Sequence, residues 1–220
     1  MKAFIIIPSY NEETHIEGVL KKTKKYAKSS QIVVVDDGSR DSTAKRAEGQ
    51  KVVVLKHAVN MGKGAAMKTG CEYALKKGAD TIVVMDADGQ HKPEDIPNLL
   101  KALNGKDIVF TYRKFNKNQM PFIKRMGNSF IQGVSSFLFN IKVRDTQCGF
   151  RAFTKNAYSK IKWAVSDYSV ESEMIAKAGK YRLRFAQVPI DTTYHDKYKG
   201  VTVIDGIRIF MNMLWWRIGK

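Results

Sequence analysis

The sequence is poor in acidic residues and in cysteine, and each shortage narrows the classes of protein that it can encode. It has 21 Asp and Glu against 38 Lys and Arg, which gives a formal charge of +17 at pH 7. Such an excess predicts a polyanionic partner: a nucleic acid, an anionic lipid or a phosphorylated substrate. The two cysteines, Cys71 and Cys148, lie far apart and outside any zinc-binding spacing. They fit two packed thiols in a reducing compartment, not a zinc site or a disulfide framework.

Long apolar runs are also missing. No stretch reaches the roughly 18 apolar residues of a membrane-spanning helix, so we expect no such helix. The N-terminus opens directly on a short apolar run that ends at Pro8, which is too short for a signal peptide. Hydrophobic residues make up 44% of the 220 residues and no segment is of low complexity, which predicts one folded domain.

What is present is an alternation of short apolar runs and helical patterns in the first half of the chain. The runs are rich in β-branched residues and apolar on both faces, as in strands that lie inside a parallel sheet. They comprise residues 4–7, 32–35, 52–55, 81–85 and 108–111. Helices are predicted between them at residues 13–27, 42–48, 63–77 and 93–103. The alternation implies a mainly parallel α/β sheet flanked by helices.

The pattern changes after residue 113. A long amphipathic helix is predicted over residues 120–141, a strand over residues 182–190 and a very apolar helix over residues 203–218. The last helix carries Trp215 and Trp216 beside Arg217, a combination that suits the headgroup region of a membrane. The alternative is a core helix that packs on the sheet. We favour the membrane surface because of the adjacent tryptophans and the net charge.

Polar segments follow four of the predicted strands. They are Pro8-Ser9-Tyr10-Asn11-Glu12-Glu13, Asp36-Asp37-Gly38-Ser39, Asp86-Ala87-Asp88-Gly89-Gln90-His91 and Thr111-Tyr112-Arg113. In a parallel α/β sheet, ligands bind beyond the carboxyl ends of the strands. The segments therefore predict a binding site at this edge of the sheet.

Of these segments, Asp86-Ala87-Asp88 gives the most specific functional prediction. Two carboxylates on either side of one residue can converge on a hard cation, and Mg²⁺ or Mn²⁺ keeps further positions open for substrate phosphates. Gln90 offers a further oxygen ligand. The alternative is that Asp86 and Asp88 cap the turn that follows, because short motifs often occur by chance.

For two other segments, the sequence permits both a ligand-binding role and a purely structural one. We expect Asp36 to be structural and Asp37 to accept hydrogen bonds from a base or ribose, although turn chemistry is the alternative for both. The segment Asn60-Met61-Gly62-Lys63-Gly64 opens a helix whose amides suit a phosphate. A tight strand-to-helix turn is the alternative there.

Taken together, these motifs resemble those of family 2 glycosyltransferases, and most of all those of the dolichyl-phosphate mannose and glucose synthases. Later segments resemble that family too, so the resemblance spans nearly the whole chain. They are Asp145-Thr146-Gln147-Cys148-Gly149-Phe150-Arg151, Glu171-Ser172-Glu173, and Val188-Pro189-Ile190 with Tyr194. Each motif alone is weak, and their common order and spacing make the resemblance specific.

The resemblance implies a GT-A fold over residues 1–220, with a Rossmann-like nucleotide-sugar-binding half at 1–113, an acceptor-facing half at 114–202 and an amphipathic helix at 203–220. The implied nucleotide-sugar contacts are Pro8, Tyr10, Glu12, Val35, Asp37, Asp86, Ala87 and Asp88. Asp86, Asp88 and Gln90 would hold Mg²⁺ or Mn²⁺. Arg113, Arg125 and Lys199 match positions near the acceptor phosphate. The implied catalytic residues are Asp88, Arg113 and Arg125.

The activity that the resemblance implies is an inverting transfer of a hexose from a nucleoside diphosphate sugar, of the GDP-mannose or UDP-glucose type, to a polyprenyl phosphate such as dolichyl phosphate. The protein would lie peripherally on the cytoplasmic face of a membrane. A phosphate oxygen is already anionic near neutral pH, so it needs positioning more than a general base. Glu171 and Glu173 are candidates for a base, or else surface or helix-end charges.

Two other functions remain open: transfer to a sugar or other soluble acceptor, and nucleic-acid binding without catalysis. The sequence has no helix-turn-helix, RNP or zinc-finger pattern. Its acidic strand ends would also repel a phosphate backbone unless a metal were bound. We therefore predict no nucleic-acid partner.

Overall fold

The structure of the protein, a computed structural model, describes residues 2–114, 122–192 and 203–218; in the helices that begin at Phe122 and Val203, it describes side chains from Ser129 and Gly206 onward. Seven strands and eight α-helices occur over these residues. They are β1 (Ala3–Ser9), α1 (Ile16–Thr23), β2 (Ile32–Asp36), α2 (Thr43–Gly49), β3 (Val53–Lys56), α3 (Lys63–Lys76), β4 (Thr81–Val84), α4 (Ile96–Ala102), β5 (Ile108–Arg113), α5 (Phe122–Phe139), β6 (Arg151–Thr154), α6 (Lys155–Ile161), α7 (Val170–Lys180), β7 (Phe185–Ile190) and α8 (Val203–Ile218).

The strands form one sheet of order β3-β2-β1-β4-β6-β5-β7. β1 pairs in parallel with β2 and β4, β2 with β3, and β5 with β7. β6 is antiparallel to both of its neighbours, β4 and β5. The predicted mainly parallel α/β sheet is therefore confirmed. The carboxyl ends of β1, β2, β4 and β5 all lie at the same edge.

The predicted strands and helices all occur, with ends that shift by a few residues. The helix predicted over residues 93–103 opens with a 3-10 turn at Pro93–Asp95, and the strand predicted from residue 182 begins at Phe185. The elements β6, α6 and α7 were not predicted. All three lie between residues 151 and 180.

The sheet is covered on both faces, which is why its central strands are apolar throughout. Along β1, Ile6 packs in one cluster with Met67 of α3, while Ile5 and Ile7 pack in a second cluster with Leu20 of α1. The alternation follows from the two-residue period of a strand. Both cysteines are buried free thiols, as predicted.

The helices α5 and α8 pack against each other and leave apolar side chains in solvent. On α8, Ile209 and Met213 are buried, whereas Trp215 is 72% exposed. The exposed set, called here the apolar face of α5 and α8, comprises Phe130, Phe137, Ile207, Met211, Trp215 and Ile218. The helix thus joins the core on one side and faces solvent on the other. Across the described ranges, no helix is long and apolar enough to cross a membrane.

Candidate active site

The carboxyl ends of β1, β2 and β4 bring the predicted polar segments to one edge of the sheet. Ser9 at the end of β1 is the register partner of Asp36 at the end of β2. On the other side of β1, the backbone N–H of Met85 donates to the carbonyl of Ile6 at 3.0 Å, so Asp86 follows directly beyond β4. The edge thus gathers carboxylates from two strands.

The other implied nucleotide contacts lie at the same edge with different exposure. Pro8 and Val35 are register partners in the buried part of β1 and β2. Tyr10 is 40% exposed, so its ring is open to a ligand. Glu12 is buried, and its backbone N–H donates to Oγ1 of Thr43 at 2.8 Å. The structure therefore brings these residues together, and their contact with a nucleotide stays a prediction.

The predicted metal-binding pair, Asp86 and Asp88, lies in the turn after β4. Oδ1 of Asp86 is 2.7 Å from Nζ of Lys63. Oδ1 of Asp88 accepts the backbone N–H of Gln90 at 3.0 Å. The turn-capping alternative is therefore real for one oxygen of Asp88, and Asp86 is held by an ion pair. Ala87 between them is buried.

The two carboxyls have opposite electrostatic environments. Burial opposes the charge of Asp86, but the cationic groups of Lys63, His91 and Arg151 together outweigh it and lower the pKa of this carboxyl. Burial and the repulsion of Asp86 together raise the pKa of Asp88. Burial also opposes a charge on His91, yet the thiol of Cys148 and the two carboxylates raise its pKa to about 8. The negative charge of Asp88 is therefore less well compensated than that of Asp86.

A divalent cation fits this imbalance. The buried and mutually repelling carboxylates of Asp86 and Asp88 are oxygen donors, which Mg²⁺ and Mn²⁺ prefer. Within the part of the chain that the structure describes, no three carboxylate, His or Cys side chains gather at one point. Two carboxylates with remaining positions left to substrate phosphates and water are a common way to hold Mg²⁺. The part of Gln90 in such a site stays a prediction.

Asp37 is more deeply tied into the fold than the sequence suggested. Its Oδ1 lies 2.6 Å from Nδ1 of His57 and accepts the backbone N–H of Met61 at 2.9 Å. Its Oδ2 accepts the backbone N–H of Gly62 at 2.8 Å. A carboxylate has about four acceptor positions, so one remains for a base or ribose. Oδ1 of buried Asp36, by contrast, has no hydrogen-bond partner among the described residues.

The glycines of the segment from Asn60 to Gly64 are explained by close backbone packing. Gly62 has a φ of 95°, and a Cβ there would lie 2.4 Å from the carbonyl oxygen of Ser166. A Cβ on Gly64 would lie 2.5 Å from the carbonyl oxygen of Val165. The N–H of Gly64 donates to Ser166 at 2.6 Å, and that of Gly62 to Asp37. These two amides are already used, which favours the tight turn over a phosphate cradle.

The first residue of α3, Lys63, joins the site through a contact that the sequence did not reveal. Its Nζ lies 2.7 Å from Asp86 Oδ1 and 2.7 Å from Glu171 Oε1. Glu171 and Glu173 are both buried, so they are not surface charges, but both lie in the first turn of the helix α7, as the helix-end alternative predicted. The carboxylate of Glu173 accepts the backbone N–H groups of Ala164 and Val165, which leaves it a structural role.

The predicted acceptor-phosphate residues are only partly described. Arg113 ends β5, and its Nε and Nη2 donate to the two carboxylate oxygens of Asp145 at 2.7 and 3.0 Å. Asp145 has no exposed surface, so this bidentate pair anchors the end of β5. The backbone of Arg125 lies in α5, but its side chain and all of Lys199 lie outside the described residues. Their contacts stay predictions.

Comparison with known proteins now adds to this geometry. UDP-N-acetylglucosamine–dolichyl-phosphate N-acetylglucosaminyltransferase of Methanococcus voltae is 33% identical over 99% of this chain and 96% of its own length. Polyprenol monophosphomannose synthase of Mycolicibacterium smegmatis is 28% identical over 94% of this chain and 83% of its own. The chain is therefore similar to both over nearly its full length.

The fold has solved counterparts as well. Glucosyl-3-phosphoglycerate synthase of Mycobacterium tuberculosis, in complex with Mg²⁺ and UDP, superposes with a TM-score of 0.78 at 18% identity, over 99% of this chain and 79% of that one. Another structure of that enzyme holds Mn²⁺ and UDP. This likeness confirms the predicted GT-A fold. Residues 4–162 match the model of the family described as glycosyl transferase family 2. The family match and the full-length similarity together show that the chain is a glycosyltransferase and belongs to glycosyl transferase family 2.

Proposed function

We propose that this glycosyltransferase moves a hexose from a nucleoside diphosphate sugar to a polyprenyl phosphate, with Mg²⁺ or Mn²⁺, at the cytoplasmic face of a membrane. One observation carries the proposal. The carboxylates of Asp86 and Asp88 lie at the ligand-binding edge of the sheet, in a chain that is similar over 99% of its length to a transferase named for dolichyl phosphate. A second relative is named for the synthesis of polyprenol monophosphomannose, which supports the same class of acceptor.

The donor is assigned to the edge formed by β1, β2 and β4. Asp37 has one free acceptor position for the base or ribose, and the exposed ring of Tyr10 borders the same edge. Asp86 and Asp88 face the diphosphate. When bound there, Mg²⁺ or Mn²⁺ would act as a Lewis acid that neutralises the leaving diphosphate. Arg113, fixed by Asp145, places a guanidinium near this edge, where its planar donors suit phosphate oxygens.

The acceptor needs no general base from the protein. A phosphate monoester is ionised near neutral pH, so its oxygen is nucleophilic once it is held in line with the sugar carbon. The burial of both candidate bases agrees with this. Glu171 is paired with Lys63, and Glu173 with backbone N–H groups and Lys177. Direct attack by the phosphate oxygen would invert the configuration at the sugar carbon.

The test of this function is a comparison of acceptors. The purified protein is incubated with Mn²⁺ and radiolabelled GDP-mannose, UDP-glucose or UDP-N-acetylglucosamine, together with dolichyl phosphate, dolichol or a soluble sugar. We expect label in the lipid fraction with dolichyl phosphate only, because dolichol lacks the anionic oxygen. Transfer to a soluble sugar with none to dolichyl phosphate would contradict the proposal and favour the soluble-acceptor alternative.

The apolar face of α5 and α8 supports the membrane part of the proposal. Its largest members are exposed beside Arg217, and such a mixture binds the boundary between headgroups and acyl chains. We expect Trp215→Ala to weaken binding to vesicles of phosphatidylcholine and phosphatidylglycerol at least about tenfold. The reason is that burying a large apolar side chain contributes roughly 1.5–3 kcal/mol.

The measurement is co-sedimentation with these vesicles, compared with Tyr26→Ala, which removes an exposed aromatic ring near α1. Trp215 is 72% exposed, so its loss should leave the thermal unfolding temperature nearly unchanged. Equal binding by the two variants and the wild type would exclude this face as the membrane contact.

A further inference from the structure

The ammonium of Lys63 lies beside Asp86, a carboxylate that is assigned to the metal. It lies 2.7 Å from Asp86 and 2.7 Å from Glu171, and the Lys63 side chain is only 17% exposed. Asp86 is also one of the two carboxylates assigned to the cation. The ammonium thus neutralises, in the metal-free protein, a carboxylate that the metal would use.

The fold holds Lys63 in position through the turn that precedes it and through its partner Glu171. Lys63 is the first residue of α3, and the positive φ of Gly62 before it sets the tight turn against the backbone of Ser166. Glu171 lies in the first turn of α7, where its carbonyl accepts a hydrogen bond from the buried guanidinium of Arg151 at 2.7 Å. The ion pair is therefore held by the fold and is more than a chance contact of a long side chain.

Gly149 closes the remaining side. A Cβ at this position would lie 2.7 Å from Oδ2 of Asp86 and 2.9 Å from Nζ of Lys63. The backbone of the segment before β6 therefore passes directly over the ion pair. Since Lys63 already pairs with Oδ1 of Asp86 and the backbone at Gly149 covers Oδ2, a cation that binds this carboxylate must share it with Lys63 or displace the ammonium.

We propose that Lys63 is a competing cation for the metal site: it holds Asp86 when the metal is absent and releases it when metal and donor diphosphate bind together. The inference rests on the proposed metal site. A divalent metal ion that binds Asp86 without nucleotide would lie close to the ammonium of Lys63, and the two cations would repel each other. A diphosphate supplies the negative charge that lets both cations stay, so the nucleotide and the metal should strengthen each other's binding.

The test measures Mn²⁺ binding directly by electron paramagnetic resonance, without nucleotide and without an activity assay. We expect Lys63→Met to bind Mn²⁺ at least about tenfold more tightly than the wild type, because the competing charge is gone. The matched control is Lys76→Met, which changes the net charge equally at an exposed position at the end of the same helix. It should bind Mn²⁺ as the wild type does.

A second variant tests whether tighter Mn²⁺ binding comes only from misfolding or from the extra negative charge of Lys63→Met. Lys63→Met with Glu171→Gln removes the ammonium and its buried partner together, so the charge of the site is unchanged. It should still bind Mn²⁺ more tightly than the wild type, because Asp86 is released. Equal Mn²⁺ affinity of the wild type and both Lys63 variants would overturn the role of Lys63 and leave the metal site standing. Failure of all of them to bind Mn²⁺, with UDP or GDP present, would overturn the metal site as well.

Discussion

Replacement of Asp88 by Asn is expected to lower kcat for sugar transfer by about 10²–10³-fold, equivalent to about 3–4 kcal/mol, a typical loss for one group that stabilises developing charge. Among the residues that the structure describes, Asp88 forms no ion pair like that between Asp86 and Lys63, whose Nζ lies 2.7 Å from Asp86. Its carboxylate is therefore the more available ligand for Mg²⁺ or Mn²⁺. An amide oxygen is a weaker ligand than a carboxylate, so part of the activity should return at high Mn²⁺ concentration.

The same substitution should not destabilise the fold. Burial and Asp86 raise the pKa of Asp88 above its ordinary value, so its ionised form destabilises the folded protein near neutral pH. Asn removes that charge and keeps an oxygen to accept the N–H of Gln90, which Asp88 accepts at 3.0 Å. We therefore expect an equal or higher unfolding temperature by calorimetry. A loss of activity without a loss of stability assigns the effect to the site.

Two comparisons complete this experiment. Glu94→Gln, an exposed carboxylate in the 3-10 turn that follows, should leave kcat unchanged. Treatment of the wild type with a chelator should abolish transfer, and added Mg²⁺ or Mn²⁺ should restore it. Wild-type activity in Asp88→Asn, or full activity in chelator, would rule out the metal assignment.

The sheet could be predicted from the sequence because its signal is local. The runs around Ile6, Val34 and Val83 are apolar on both faces and are bounded by polar turn residues, as buried parallel strands are. Their carboxyl ends could be placed at one edge for the same reason, since parallel strands end together. Both the fold class and the location of the site followed from this.

The strand β6 and the helix α7 could not be predicted because their polar residues are buried by distant partners. Arg151 opens β6 and Glu171 and Glu173 lie in the first turn of α7, and a charged residue in a sequence indicates surface. In the structure all three are buried. Their partners include the backbone carbonyl of Thr146 and the ammonium of Lys63, which only the tertiary fold brings near.

The site shows the same division between local and distant information. The placement of Asp86 and Asp88 beyond β4 is a local property, and the sequence revealed it. The pairing of Asp86 with Lys63 depends on how closely α3, β4 and α7 approach one another. The glycines at 62, 64 and 149 permit this approach, but the sequence does not reveal which atoms pack against them. Likewise, nothing in the motif around Asp37 indicated that His57 lies 2.6 Å from it.

Arg151 connects these distant elements, and its loss should have the largest effect on stability. The side chain is 1% exposed and donates to three backbone carbonyls: Cys148 at 2.9 Å, Glu171 at 2.7 Å and Thr146 at 3.1 Å. Its guanidinium also lies 5.2 Å from the centre of the Phe110 ring. It therefore ties the loop before β6 to the start of α7, where Glu171 meets Lys63.

We expect Arg151→Met to lower the free energy of unfolding by about 2–4 kcal/mol. Three buried carbonyls would lose charged donors, each worth roughly 1.5–3 kcal/mol. The expected loss is smaller than the sum of the three hydrogen bonds. Burial opposes the charge of the guanidinium and lowers the pKa of Arg151, and Met removes this cost of burying a charge. Arg151→Lys should recover only part of the loss, since an ammonium cannot reproduce the planar geometry of the guanidinium.

Chemical denaturation is the measurement, and Arg184→Met is its control. Arg184 donates to the carboxylate of Asp107, but its side chain is 68% exposed, and such surface pairs contribute about 0–1 kcal/mol. The two substitutions remove the same guanidinium, once from buried carbonyl partners and once from an exposed carboxylate, so the control shows what the loss of an exposed Arg side chain costs. A loss in Arg151→Met no larger than that in Arg184→Met would mean that water or shifted backbone can replace the guanidinium. The loop before β6 would then not depend on Arg151 to hold Glu171 in reach of Lys63.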